Sequence, residues 1–511
     1  MHSAKLLLAL VGLTSAATAA GQPLTDSGIA IPFREVAVLP DSNPGQPPRV
    51  SVVTEDPHGR LFANDQRGPL YAFQSETGAV TEYLDLRDYP ELDLLSTWEA
   101  GFQSFAFHPG FHDPESDGYG RFYTIHSSNN TTGTPDFDPG GQTVFHTLLI
   151  EWRTSQPMVV PFLPANADQP YRILMRLKQP FGNHNTGLIA FDPLALPGTS
   201  EYGSLYIAVG DGGAGGDPQE NSEDASNPFG AILRIDPLGT DAANGNYGIA
   251  QENLFASDEN NQTLAEIYCY GLRNPQRFGW DITTGAMYIA DIGQNVMEEV
   301  NLAANGAHFG WDIREGSLSF EGDNTPSLVG PLAEYHHSTG LSNPPTSIPN
   351  RAVTLGEVAR GTRIPELEGY LLVADFPTGV MMRLDVDAQA PELELFRLRN
   401  ENGAPVELLE LINLKRGSRG LNNANRADTR FSVNTPGKIF LSNKQDGIIR
   451  QLLPSTEASI AWQGEREDRV LAFEGLLESS EDLSTWKTVL PQPESPQQLN
   501  AIPLGTFYRS R

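Results

Sequence analysis

The stretch GAMYIADIGQ, residues 285–294, decides the fold because it recurs. A glycine opens it, a short apolar and aromatic run follows, and the run ends in a polar loop. The pattern returns as GRLFAND from Gly59, GRFYTIHSS from Gly120, GSLYIAVGDGG from Gly203, GYLLVADF from Gly369 and GKIFLSN from Gly437. Successive opening glycines lie 61, 83, 82, 84 and 68 residues apart. Runs of this kind, bounded by turn residues, read as strands. Turns such as DPHG (56–59) and DITTG (281–285) lead into copies of the run, as tight strand connections require. Further hairpin strands follow at RGPLYAF (67–73), TGVMMRLD (378–385) and DGIIRQLL (446–453).

One such unit cannot bury its apolar faces alone, but stacked copies can. Six copies, each with room for about four strands, predict an all-β chain: a six-bladed β-propeller over residues 30–453. The competing reading is an array of β-sandwiches in which the recurrence is accidental. A propeller gathers loops distant in sequence over one face of its central channel, so a site is sought there.

The ends of the chain differ from this pattern. From about Ser455 the alternation in EASIAWQG and the closing GTFYRSR suggest a small C-terminal β module, residues 455–511. At the other end, Lys5, the apolar run Leu6–Leu13 and the Ala-rich residues 16–20 have the form of a cleavable signal peptide, residues 1–20. The apolar run is well short of the ~20 residues a span requires. A secreted or periplasmic location is therefore expected.

The formal net charge of −30 argues against nucleic acid and anionic membrane surfaces as partners. Cys269 is the one cysteine, so no internal disulfide can form. Its setting, IYCYG, is that of a buried strand residue.

Five polar clusters interrupt the strands. Glu99 stands at the mouth of a buried run, GFQSFAFHP. His184, between Asn183 and Asn185, precedes another. Histidine titrates near neutrality and suits proton abstraction. Asp211 leaves the strand LYIAV into the loop GDGGAGGDPQENSEDASN, where glycines permit close approach of backbone to a ligand. That loop could cup a cation through carboxylates and carbonyls, although it lacks the EF-hand pattern. Arg273 and Asn274 occupy the turn GLRNPQ, and arginine's planar fork suits carboxylate or carbonyl oxygens. Glu298 and Glu299 are adjacent on a strand, so they face opposite sides. Singly, Glu99 is more often a solvated charge and a lone loop histidine more often a structural one, while a solvated loop competes equally for the distal half of the Asp211 loop.

Taken in order, GFQSFAFHP, NHNTG, LYIAVGDGG, ILRIDP, YGLRNPQ, EEVNL, FGW and GYLLVADF resemble one family. It is the secreted glucose/sorbosone dehydrogenase-like, pyrroloquinoline-quinone (PQQ)-dependent sugar dehydrogenases, a six-bladed propeller fold. The resemblance implies PQQ and calcium as cofactors, a small sugar or polyol as substrate, and a separate electron acceptor. It places His184 as general base and Arg273 as the cation that steadies charge on the quinone. It places Asn274, Gln294 and Arg360 at the cofactor. Gln294 would stand just before carbonyls that hold the cofactor's calcium. Glu99, Asn183 and Asp211 would line the substrate pocket. Glu299 and the Phe309 carbonyl would bind a second calcium.

The chain departs from the family's sugar oxidases in TLGEVARGTRIPELEGY (354–370). Arg360 and Arg363 are present there, a matching lysine is not, and Ala359 replaces an aromatic residue. The loop GQNVMEEVN is two residues shorter and more similar to the hedgehog-interacting-protein-like branch. The expected function is an extracytoplasmic quinoprotein that oxidises an aldose or related alcohol by hydride transfer. The alternatives are a non-catalytic glycan- or protein-binding propeller and a calcium-dependent lactonase.

Overall fold

The computed structural model describes residues 24–257, 262–322, 327–338, 351–434 and 437–455, with short strands between 460 and 510. The expected signal peptide, residues 1–20, lies outside the described residues. Strand β1 (Thr25–Val38) comes first and is used last in the architecture.

Four separate sheets follow along the chain. The first is β2 (Val50–Glu55), β3 (Leu61–Asp65), β4 (Pro69–Phe73) and β5 (Val80–Asp85), paired in sequence order. The second is β6 (Phe102–Phe107), β7 (Arg121–Ser128), β8 (Phe145–Arg153) and β9 (Tyr171–Gln179). The third runs β10 (Thr186–Phe191), β11 (Leu205–Val209), β12 (Ala231–Asp236) and β13 (Gly248–Ile249), with β14 (Ile267–Tyr270) also on β12. The fourth starts with β15 (Arg277–Trp280), β16 (Met287–Asp291) and β17 (Met297–Leu302). A small hairpin, β18 (Arg314–Glu315) and β19 (Leu318–Ser319), then precedes its last strand, β20 (Ala333–His336).

The remaining strands form one nine-stranded sheet, which corrects the expectation of six separate ones. It contains β21 (Val353–Val358), β22 (Tyr370–Asp375), β23 (Met381–Asp385), β24 (Leu393–Arg399) and β25 (Pro405–Val406). After helix α1 (Leu408–Ser418) it adds β26 (Thr429–Val433), β27 (Ile439–Asn443) and β28 (Ile448–Leu452). The cause of the fusion is β1. Its first half pairs parallel with β24, Thr25 opposite Glu394. Its second half pairs antiparallel with β28, Phe33 opposite Leu452. One strand thus covers two sheet edges, which would otherwise be open to pairing with another chain.

Strands such as LYIAV (β11) and YLLVAD (β22) are buried nearly throughout because neighbouring sheets pack on both faces. Tyr83, Phe122 and Trp152 fill the space between the first and second sheets. Leu149 and Leu174 meet Ile207 and Leu233 between the second and third. Leu372 and Phe396 meet Phe431 and Leu441 between the two halves of the large sheet. Phe440 and Ile449 close back onto Ala63 and Tyr71 of the first. The strand that begins each unit packs on the next: β2 on β6, β6 on β10, β10 on β15, β15 on β21, β21 on β26, and β26 on β2. Cys269 is fully buried on β14, and burial raises its thiol pKa.

Within the C-terminal segment, Ile460–Gln463, Val470–Phe473 and Gln497–Gln498 form one small sheet; Leu477–Ser480, Lys487–Thr488 and Phe507–Ser510 form another. No helix among the described residues is long and apolar enough to cross a membrane.

Candidate active site

A cavity of about 390 Å³ opens where the innermost strands begin. Residues just before β2, β6, β10, β15, β21 and β26 supply Arg49, Glu99, His184, Arg273, Arg351 and Arg426 to its walls. The ends of neighbouring strands add Gln294, Phe376 and Lys444. Segments almost 400 residues apart in the chain meet because every innermost strand presents the same end to this face.

His184 is 5% exposed and has φ +49°, a conformation uncommon outside glycine. Two carboxylates hold it there. Its main-chain N–H donates to Glu99 Oε2 (2.8 Å), and its Nδ1 pairs with Asp211 Oδ1 (2.7 Å). With Nδ1 engaged behind the wall, Nε2 is the nitrogen left for a ligand. Asp211 is itself fixed: Oδ1 also accepts from Gly213 N (2.8 Å), and Oδ2 accepts from Trp311 Nε1 (3.1 Å).

Arg273 lies over the Trp311 ring, 5.4 Å from its centroid. Nε and Nη2 donate to Gln294 Oε1 (3.0 and 2.7 Å). Nη1 donates to the carbonyls of Ile292 (2.9 Å) and Gly293 (2.8 Å). Four of these interactions shape the 292–294 loop, and a guanidinium has five N–H groups, so one remains for a ligand. The turn before β15 is set by Asp291, whose two oxygens accept from Arg273 N (2.8 Å) and Asn274 N (2.6 Å). Burial pushes the Asp291 carboxyl up to about 7.

The opposite wall is cationic. Arg430 Cζ lies 3.8 Å from the Phe376 ring centroid, with Arg426 at 5.6 Å and Lys444 Nζ at 5.7 Å. Five cations line the cavity (Arg49, Arg273, Arg351, Arg426 and Lys444) against the carboxylates Glu99 and Asp428. Burial, then the neighbouring Arg430, depresses Lys444 well below the usual ammonium range. Burial and Arg277 likewise depress Arg430. Like charges held together in poor solvent are relieved by an anion.

Among the sequence-predicted residues, Glu99, His184, Arg273, Asn274 and Gln294 line one cavity. Asn183 and Asp211 do not, which corrects their expected pocket role. Asn183 Oδ1 accepts from Ala214 N (3.1 Å), and Asp211 lies buried behind His184. Arg360 is corrected more strongly. It follows the far end of β21 and pairs with Asp281, beyond the far end of β15, at 2.7 Å. It therefore belongs to the other face of the ring.

Residues 354–370 hold no lysine, but Lys444, after β27, stands in the cavity. No local motif marks Lys444, Arg49, Arg426 or Phe376. Asp291 had a signal, the acidic residue closing YIAD before a polar loop.

At Glu299 and Phe309, the expected calcium position, Arg314 occupies one acceptor site. Arg314 Nε donates to the Phe309 carbonyl (2.9 Å), and its Nη2 reaches the Val329 carbonyl. Burial and Asp291 raise the Glu299 carboxyl, while Arg314 opposes that rise. The Val296 carbonyl, close after Gln294, is already taken by His337 N (2.8 Å).

The family model for glucose/sorbosone dehydrogenases matches residues 50–406. The HIPL1 protein of Arabidopsis thaliana is 26% identical over 385 residues, 66% of this chain and 52% of that one. The hedgehog-interacting protein of Mus musculus is 26% identical over 240 residues, 46% of this chain and 30% of that one. The chain thus spans about half or less of these curated relatives. The PQQ-bound aldose sugar dehydrogenase of Streptomyces coelicolor superposes with a TM-score of 0.50 at 17% identity, covering 82% of this chain and 97% of that one. Its likeness is one of fold, all-β and propeller-like. On the strength of the matched residues and their order, the chain belongs to the glucose/sorbosone dehydrogenase family.

Proposed function

We propose that the protein is an extracytoplasmic quinoprotein oxidoreductase that oxidises an aldose or related alcohol. The observation that carries this reading is a cation-lined cavity with a carboxylate-backed histidine in its wall. When bound, PQQ supplies a quinone that accepts the substrate's hydride. Its carboxylates suit Arg49, Arg351, Arg426 and Lys444, and its plane suits Phe376. His184 Nε2 takes the hydroxyl proton of the sugar, and Asp211 stabilises the imidazolium that forms. Arg273 directs its remaining N–H and its charge at the oxygen where negative charge develops. Calcium at Glu299 and Phe309 has no part in this scheme.

The nine-stranded sheet is read as two blades sharing β1, which gives six blades around the channel. The order of contacts among the innermost strands supports this. The leader-like residues 1–20 support export.

A second reading, a non-catalytic binding propeller, is favoured by the likeness to HIPL1 and the hedgehog-interacting protein. Reconstitution separates the two. The protein with PQQ and calcium is offered an aldose panel and a dye acceptor. Dye reduction that His184→Ala abolishes supports the oxidoreductase. No reduction, with no rise in Tm on adding PQQ, sinks it. Lactone hydrolysis without PQQ would indicate a hydrolase instead.

A further inference from the structure

The loop after β11 and the loop after β17 approach each other behind the cavity wall. Glu220 and Glu223 belong to the first, Asp312 to the second, and a carboxylate oxygen from each lies within 4.8 Å of the other two. Oxygens bound to calcium sit about 2.3–2.6 Å from the ion, so two that share it are at most about 5 Å apart. The cluster therefore has the size of a single-ion site.

Acidic clusters alone are common and Glu220 is exposed; the decisive feature is Asp312, buried with one oxygen unpartnered. Asp312 is 4% exposed, and its Oδ2 has no hydrogen-bond partner among the described residues. The buried Glu223 Oε1 has none either. Neighbouring Asp217, 1% exposed, also keeps Oδ1 unpartnered. None of these four carboxylates forms an ion pair with Lys, Arg or His among the described residues. A buried charge left unpaired is costly, and a bound cation removes that cost.

We infer that Glu220, Glu223 and Asp312 form a calcium site, with Asp217 next to it. The site differs from the Glu299/Phe309 position, where Arg314 donates to the Phe309 carbonyl. A metal here would tie together two loops from different sheets. Both reach the histidine: the first contains Asp211, and Trp311, beside Asp312, donates to Asp211 Oδ2. The ion would therefore act as a positioning element for His184, and its binding does not depend on the oxidoreductase reading.

Calcium binding is measured on the full chain after chelation and desalting. The readouts are isothermal titration, Tm, and terbium emission sensitised by Trp311. One tight equivalent and a Tm rise are expected with calcium, and weaker binding with magnesium, which demands stricter octahedral geometry. Glu220→Gln/Glu223→Gln should weaken binding at least tenfold and cut the terbium signal, as should Asp312→Asn. Glu299→Gln should leave the affinity within twofold. Absence of binding, or an affinity unchanged by the paired Gln substitution in a folded variant, overturns the inference. So does loss of binding in Glu299→Gln alone.

Discussion

Asp211→Asn tests how the cavity wall holds its base. Asp211 receives three side-chain hydrogen bonds: His184 Nδ1 and Gly213 N on Oδ1, and Trp311 Nε1 on Oδ2. Asparagine has one amide oxygen and one NH₂ in their place. The oxygen settles where it satisfies two donors, at the Oδ1 position, and the NH₂ faces Trp311. One buried N–H then loses its acceptor, at about 1–3 kcal/mol of stability. His184 keeps its tautomer but loses the charge behind it. A charge-assisted hydrogen bond is worth about 1.5–3 kcal/mol and is roughly twice as strong as a neutral one, so the imidazolium, which keeps a neutral partner, loses about half of that, about 0.75–1.5 kcal/mol. At 1.36 kcal/mol per tenfold, kcat falls about 4- to 13-fold. The assay is dye-coupled sugar oxidation by the PQQ-reconstituted protein, with Tm measured alongside. A fall near 10⁴-fold would mean that the tautomer has flipped and that the donor count is wrong. Unchanged rate and Tm would show that Asp211 does not support His184 at all.

Other substitutions probe the charges. Lys444→Met should raise Tm at neutral pH and weaken PQQ binding at least tenfold in a quenching titration. Because the folded state depresses the Lys444 pKa, the unfolded chain holds the extra proton between the depressed value and the ordinary ~10.4. Wild-type stability therefore rises with pH across that window, and the advantage of Lys444→Met should shrink as pH 10 is approached. Arg360→Ala should leave PQQ affinity unchanged while costing about 1–3 kcal/mol in denaturant unfolding, since buried Asp281 loses its partner. Arg314→Met should lower Tm by several degrees, and calcium should restore part of the loss by entering between Glu299 and the freed Phe309 carbonyl. Should calcium leave that Tm unmoved, Arg314 is not standing in for a cation.

The sequence by itself determined the repeat and the strands it contains. Gly285–Gln294 and its relatives have strand periodicity and turn chemistry within about ten residues, so local physics suffices to read them. His184, Arg273 and Asn274 were legible because each sits at the start of an apolar strand whose partners are implied by the repeat. Three features depended on contacts between distant segments. The fusion of two sheet units through β1 pairs Thr25 with Glu394 and Phe33 with Leu452, which no local pattern encodes. The role of Arg360 was set by the direction of β21, which carries it away from the cavity to Asp281. Lys444 and Asp312 acquired meaning only when folding placed their charges beside others and buried them, Asp312 beside the Glu220 and Glu223 loop that the sequence had already marked as a possible cation cup. Hydrogen-bonded strands are specified by neighbouring residues, but an electrostatic site is specified by distance and burial, which tertiary structure alone fixes.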